Sequence, residues 1–395
     1  MTGILKDKST SEQKFKISAV FGTRPEAIKL APVIDSIKDE SKLELTTIAT
    51  GQHEEMLTQM LSNFSIKPDF NLRLMQKQQS LADLTGRAVS SLGKVFRDNA
   101  ADLVVVHGDT TTTLSASLAA YYEQIPVAHV EAGLRSDNKY SPFPEEMNRQ
   151  LTDTLADLYF APTRQNKENL LQENIPADNI YLTGNTVIDS ARKIAEQGFS
   201  FTSSLAKIIK NKDNKEIILL TTHRRENIGE DMENIFSAIK EIVNKFPAVE
   251  VVFPVHLNPA VQKLARKKLG DNSRIHLLEP LDYSNFINLL AVCSLVLTDS
   301  GGIQEEAPAF DVPVVLLRET TERPEAIEAG TVIKAGVNRK NIVELTTRLL
   351  TEEEFYEQTA GAPNPYGDGK AAPRIVQYIM RYLGFDRHNY REFKF

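Results

Sequence analysis

Carboxylates concentrate in three short stretches of this chain, each where a strand should end. Asp109 closes DLVVVHGD and Glu131 closes VAHVEAG. Glu145 and Glu146 lie in SPFPEEMNR, with Arg149 one helical turn further on. Acids gathered near strand ends repel one another, which raises some of their pKa values. General acid/base chemistry at neutral pH requires that property. Two plainer roles compete with it: Asp109 as the cap of the helix TTTTLSASLAAYY, and Glu146 as an exposed partner of Arg149.

Cations gather at other strand ends. EIILLTT is followed by Thr222-His223-Arg224-Arg225-Glu226-Asn227, and His256 ends the next strand in PVHLNP. Three potentially cationic side chains in a row at a strand end suit a phosphate group. In TDSGGIQEEAP a strand gives way to Ser300, Gly301 and Gly302 and then to a helix that carries Glu306. Backbone N–H groups there can cradle a phosphate, and Glu306 can accept hydrogen bonds from ribose hydroxyls. A simple tight turn is the competing reading. Arg323, in TTERPEA, adds another cation. Near the start of the chain, GTRPEA places Arg24 just before a helix whose first residue is read as Pro25, with Lys29 one turn later. Together these groups suit a ligand with a diphosphate and a polyhydroxyl portion.

Elements of a particular kind are needed to bring such residues together. Short apolar strands alternate with helix-like runs, from FKISAVFG through LELTTIAT, DLVVVHGD and NIYLTG. The pattern resumes with EIILLTT, VEVVFPVH, SLVLTDS and VPVVLLR. It predicts an α/β protein of two doubly wound, Rossmann-like domains facing a cleft. The expected boundaries are a polar tail over 1–14, an N-terminal Rossmann-like domain over 15–190 and a C-terminal Rossmann-like domain over 191–367, the one that carries the cationic set. A final helix and tail over 368–395 should return to the N-terminal domain. Asp368 is placed to cap that helix, whose Ile375, Ile379 and Leu383 recur every fourth residue.

With 395 residues, 41% apolar and 25% charged, the chain is long enough for two domains and ordinary in composition. A net charge of −7 argues against a nucleic-acid partner. No apolar stretch is long enough to span a membrane, and the first fourteen residues lack the apolar centre of a signal peptide. Cys293 stands alone in an apolar run and reads as a small buried hydrophobe, which fits a reducing, cytoplasmic setting. There is no G-x-G-x-x-G and no Walker A motif, since Asn364 takes the first glycine position in NPYGDGKA. The seven histidines form no HExxH or other close metal pair. Neither a nicotinamide cofactor nor a metal is therefore expected.

The ordered set FGTRPEAIKLAP, TGQHEEM, HGDTTTT, HVEAGLRS, YSPFPEEMNRQLTD, LTGNTVID, THRREN, PVHLNP, TDSGGIQEEAP, TTERPEA and NPYGDG resembles the non-hydrolysing bacterial UDP-N-acetylglucosamine 2-epimerases over about residues 15–385. That resemblance implies a glycosyltransferase-B type fold and the interconversion of UDP-GlcNAc and UDP-ManNAc through a 2-acetamidoglucal, in the service of cell-surface polysaccharide synthesis. It implies that Asp109, Glu131, Glu145 and His223 are catalytic. It also implies that Arg24, Lys29, Arg149, Arg224, His256, Ser300, Gly301, Gly302, Glu306 and Arg323 bind UDP or sugar, and that the enzyme is a homodimer. The resemblance does not say which acid is the base.

Many members of that family respond to UDP-GlcNAc at a second site, for which Gln52 and His53 are the candidates here. Two residues depart from the pattern: Glu55 stands where a second Gln is expected and Gln78 where an Arg is expected. A weakened or altered substrate activation follows. The rival readings are an epimerase for UDP-2,3-diacetamido-glucuronate, a hydrolysing epimerase, a glycosyltransferase of the same fold and a non-catalytic nucleotide-sugar binder. KYSPFPEEMNR and FGTRPEA disfavour the first two.

Overall fold

A computed structural model of the chain describes residues 14–51, 61, 63–76, 78–199, 201, 203–210, 215–385 and 392–395. It divides into two compact units, one of Met1–Ser190 with Tyr366–Lys394 and the other of Ala191–Pro365 with Phe395.

The first unit is built on strands β1 (Phe15–Phe21), β2 (Leu43–Ala49), β3 (Phe70–Asn71), β4 (Leu103–His107), β5 (Val127–Val130), β6 (Leu158–Ala161) and β7 (Ile180–Leu182). They form one sheet in the order β3-β2-β1-β4-β5-β6-β7, with every pairing parallel. The helices between them are α1 (Arg24–Lys38), α2 (Leu81–Asn99), α3 (Thr111–Tyr122), α4 (Glu145–Leu155), α5 (Arg164–Gln172) and α6 (Thr186–Glu196). β1 and β4 read as nearly unbroken apolar runs because helices cover both faces of a parallel sheet. The order runs outward in both directions from β1 and β4, so a crevice opens where their carboxyl ends part.

The second unit repeats the plan. After α7 (Ser203–Ile209) come β8 (Glu216–Thr221), α8 (Glu230–Lys245), β9 (Val249–Pro254), α9 (Pro259–Leu269), β10 (Ile275–Leu278), α10 (Tyr283–Leu290), β11 (Leu295–Thr298), α11 (Gly301–Glu306), β12 (Val314–Leu316), α12 (Pro324–Ala329) and β13 (Val332–Lys334). The sheet order is β10-β9-β8-β11-β12-β13, again all parallel, and α13 (Arg339–Thr351) and α14 (Glu353–Ala360) follow. α8 turns Ile235, Phe236, Ile239 and Ile242 onto this sheet, all fully buried, with Phe236 tilted against Phe253 at 5.8 Å. Burial of each such side chain contributes roughly 1.5–3 kcal/mol. Cys293 is buried in this unit, and burial pushes its thiol up to about 12.

The last helix, α15 (Ala371–Tyr382), packs on α1 in the first unit, with Tyr378 stacked on Tyr181 at 4.0 Å. Its cap differs from the one expected from sequence. The helix begins at Ala371, too late for Asp368, which instead accepts from the Lys370 N–H and grips Arg374. The first-turn N–H groups of Ala371 and Ala372 are taken by Asp189 of α6, at 3.2 and 2.9 Å. The cap therefore comes from a residue far away in sequence. Among the described residues, no helix is long and apolar enough to cross a membrane.

Candidate active site

The carboxyl end of the first sheet gathers charge around β1, β4 and β5. Here α1 starts one residue earlier than expected: Thr23 is its cap, Arg24 its first residue and Pro25 its second. Arg24 is exposed. Glu26 does more than complement the helix end. It is fully buried, accepts from Thr23 and Gly22, and reaches across to the hydroxyls of Thr110 and Thr113 at 2.7 and 3.1 Å. Burial holds its carboxyl above the ordinary range against those donors. Glu26 thus pins the turn after β4 to the turn after β1.

Thr110, not Asp109, caps α3, by accepting from the Thr113 N–H. Asp109 is left to face α4, where Arg149 Nη2 lies 2.5 Å from its carboxylate and Asn148 donates to its backbone carbonyl at 2.9 Å. Burial raises the Asp109 carboxyl and Glu131 raises it further, while Arg149 and Lys29 pull the other way. Glu146 does pair with Arg149, at 3.3 Å. The pair is buried rather than exposed, because Glu146 faces inward to take the Ser136 N–H at 3.0 Å. Glu145, half-buried at the start of α4, is not hydrogen-bonded to Asp109 or Glu131.

Glu131 follows β5 with φ +66, a left-handed backbone rare outside glycine and common at functional turns. Its Oε2 receives Lys29 Nζ in an ion pair and Asn185 Nδ2 at 3.1 Å. His107 Nε2 stands 3.8 Å from the same oxygen. The other carboxylate oxygen lies 3.8 Å from where a β-carbon would stand on Gly108, whose φ is +71. Glycine at 108 thus serves the backbone's bend, since a β-carbon there would make only ordinary contact with the carboxylate. His107 is buried, and among the described residues neither ring nitrogen has a hydrogen-bond partner. Burial pushes its pKa down to about 3 despite the attraction of Glu131, so it is neutral.

The second unit carries the cationic set. Asp299, after β11, is completely buried. It accepts from Thr222 Oγ1 (2.8 Å), the backbone N–H groups of His223 (2.9 Å) and Arg224 (3.0 Å), and Asn227 Nδ2 (3.1 Å). Its carboxylate stands 3.4 Å from His223 Nδ1. His223 stacks on His256, ring centroids 5.1 Å apart, and His256 Nδ1 accepts from the Asn258 N–H. Burial lowers the His223 pKa, with His256 and Arg224 adding to the effect and Asp299 opposing it. Arg224 Nε donates to the Asp299 carbonyl at 3.3 Å.

Beside these, Ser300 is the N-cap of α11, with Gly301 and Gly302 as its first residues. The Arg323 guanidinium lies directly over Gly301, where a β-carbon would stand 3.0 Å from Nη1, and Glu305 holds it from below at 2.6 Å. The space over Gly302 is open. Backbone N–H groups, a clamped guanidinium and open space form a cradle for an anion. Glu306 accepts from Tyr283 Oη at 3.3 Å.

Each unit therefore assembles its own share of the sequence-predicted residues. Asp109, Glu131, Lys29 and Arg149 meet in the first; His223, Arg224, His256, Ser300, Gly301, Gly302 and Arg323 follow strand ends of the second, where Glu306 closes α11. Gln52, His53 and Glu55 lie outside the described residues, and Gln78 is exposed with φ +59. His107, Asn185 and Asp299 were present in the quoted motifs, yet nothing in their spacing shows that they would turn inward.

The family model for UDP-N-acetylglucosamine 2-epimerase matches residues 35–380. The chain belongs to this family. A UDP-N-acetylglucosamine 2-epimerase of Bacillus subtilis is 51% identical over 94% of this chain and 97% of its own length. A crystal structure described as a putative UDP-N-acetylglucosamine 2-epimerase of Listeria monocytogenes superposes with a TM-score of 0.91, at 46% identity over 97% of this chain and all of that one. The Neisseria meningitidis enzyme, whose structure is described as bound to UDP-GlcNAc, is 47% identical, with a TM-score of 0.81 over 93% of this chain and 100% of its own. The two-sheet α/β plan of this 2-epimerase is thus the plan of its relatives.

Proposed function

We propose that this 2-epimerase interconverts UDP-GlcNAc and UDP-ManNAc by eliminating and re-adding UDP. A carboxylate of the first unit removes the C2 proton. The C1–O bond breaks, and its electron pair leaves with UDP, giving 2-acetamidoglucal. In the return step the C1–O bond re-forms as a proton is delivered to the opposite face of C2. The C2 proton is only weakly acidic because C2 is not next to a carbonyl, so departure of UDP needs strong electrostatic help. His223, Arg224, Arg323 and the N-terminus of α11 are suited to supply it. Asp109, Glu131 and Glu145 are the acids, and Arg24, Lys29, Arg149, His256 and Glu306 serve binding.

The observation that carries this reading is the placement of Asp109 and Glu131 after the paired strands β4 and β5, each carboxylate gripped by a cation, Arg149 and Lys29 respectively. Two carboxylates at neighbouring strand ends feel each other's charge while Arg149 and Lys29 hold them in place. Inversion needs proton traffic on two faces, and paired carboxylates provide two sites for it. The product suits a cytoplasmic supply of activated sugar for cell-surface polysaccharide, and a homodimer is the expected assembly.

The test is NMR of the protein with UDP-GlcNAc in D₂O, without added nicotinamide cofactor or metal. UDP-ManNAc and UDP-GlcNAc both carrying deuterium at C2 are expected. Free ManNAc and UDP as the main products overturn the non-hydrolysing route, and no reaction overturns UDP-GlcNAc as substrate. With Gln78 and Glu55 at the effector positions, the dependence of rate on UDP-GlcNAc should be less sigmoidal than in relatives with Arg and Gln there. Equal sigmoidicity refutes that.

A further inference from the structure

The turns that carry Asp109 and Glu131 share one buried anchor, which is separate from the side chains given roles above. His129, on β5 two residues before Glu131, is completely enclosed, as is Asp153 on α4. His129 Nε2 lies 2.8 Å from the Gly108 carbonyl oxygen, which can only accept, so Nε2 carries the hydrogen. The opposite nitrogen, Nδ1, lies 2.6 Å from Asp153 Oδ1. The other oxygen of Asp153 receives the Gly133 N–H at 3.2 Å and Arg135 Nη2 at 2.8 Å. Arg135 is held in turn by a two-pronged contact with Glu173. The Asp153 carboxyl is buried, which would raise it, yet His129 and Arg135 keep it below its ordinary value and therefore charged.

One carboxylate thus secures both turns. Through His129 it holds the peptide immediately before Asp109, and through Gly133 and Arg135 it holds the peptides just after Glu131. Both turns need holding, since Gly108 and Glu131 have φ values of +71 and +66. A left-handed non-glycine residue such as Glu131 is strained and persists only where its surroundings impose it. The helix that bears Asp153 also bears Asn148 and Arg149, which grip Asp109 directly. We propose that His129 and Asp153 are positioning residues for the epimerisation, fixing the separation of the Asp109 and Glu131 carboxylates. The proposal rests on the reading of those two acids given above.

The experiment compares Asp153→Asn, His129→Gln and a control, Asp157→Ala, in the full-length protein. Asp157 accepts the Val127 N–H at 2.9 Å, at the far end of the same strand β5, and so reports loss of a structural hydrogen bond away from the acids. Three quantities are read: kcat with the rate of C2 deuterium incorporation, the Kd for UDP by calorimetry, and Tm. For Asp153→Asn, kcat and deuterium incorporation should fall together by about ten- to a hundredfold, the size of effect expected from misplacing catalytic groups. The Kd for UDP should stay within about twofold. His129→Gln keeps an amide N–H for the Gly108 carbonyl but cuts the link to Asp153; its kcat should fall between the two, which tests the anchor even where Asp153→Asn fails to fold. Asp157→Ala, which removes the acceptor of the Val127 N–H, should lower Tm and leave kcat in place. A kcat that is unchanged in the folded anchor variants, or that follows Tm equally in all three, overturns the positioning role. The wild-type protein measured alongside reports separately on the epimerase reading, and a wild type without C2 exchange overturns both.

Discussion

The Asp299 carboxylate, closed off from solvent, takes the backbone N–H groups of His223 and Arg224 at 2.9 and 3.0 Å and stands 3.4 Å from the His223 ring. It fixes where the imidazole points and compensates part of the burial that lowers the His223 pKa. Asp299→Asn keeps the shape of the side chain but removes the charge and one acceptor. Its kcat/KM should fall about tenfold or more, equivalent to about 1.4 kcal/mol of transition-state stabilisation. Steady-state kinetics across pH check this, and unchanged kcat/KM refutes it.

Asp109→Asn addresses the other unit. The amide retains the volume of the carboxyl, and the Asn148 contact is to the backbone, so the turn after β4 should survive. General acid/base function is lost outright. Turnover should drop by about 10²–10⁴-fold, while the Kd for UDP changes by no more than about threefold. Joint loss of UDP binding and folded structure would instead show that Asp109 serves mainly to hold Arg149.

How much of this was legible beforehand differs from residue to residue. The apolar strand runs and their helical spacers gave away two parallel sheets, because a strand buried on both faces leaves a continuous hydrophobic signature. The cationic run at 223–225 and the Ser300-Gly301-Gly302 turn were visible because their chemistry is local in sequence. Asp299 was not. Its four donors come from residues more than seventy positions away, and only the pairing of β8 with β11 brings them together. The spacing within α4 offers a Glu146–Arg149 pair but not its burial, because it reveals a shared face without revealing which way that face turns.

The cap of α15 shows the same limit and can be tested directly. Asp189 accepts the N–H groups of Ala371 and Ala372, while Asp368, nearer in sequence, does not cap the helix. Asp189→Ala should cost about 1–2 kcal/mol in urea unfolding. Asp368→Ala removes a partly exposed pair with Arg374 and an exposed acceptor of the Lys370 N–H, and should cost under about 1 kcal/mol. The reverse ranking would restore Asp368 as the cap.

His107 gives a pH dependence with a definite sign. In the folded protein its pKa is pushed down to about 3, chiefly by burial. In the unfolded chain it returns to about 6.5. Between those values the unfolded chain binds a proton that the folded protein refuses, so acidification favours unfolding. Stability attributable to His107 should fall by up to about 1.4 kcal/mol per pH unit below 6.5 and level off near 3. Asp189 works in the opposite direction: burial raises its pKa to about 6, so the folded state binds the extra proton between about 4 and 6. That contribution is common to wild type and a His107→Gln variant and cancels in their difference. Urea unfolding at pH 7, 5.5 and 4.5 should therefore show the wild type losing stability faster than His107→Gln. The gap between them should widen with each step down, because only the wild type must keep an uncharged imidazole beside Glu131. Parallel losses would mean that His107 takes up its proton inside the folded protein, with Glu131 close enough to hold it there.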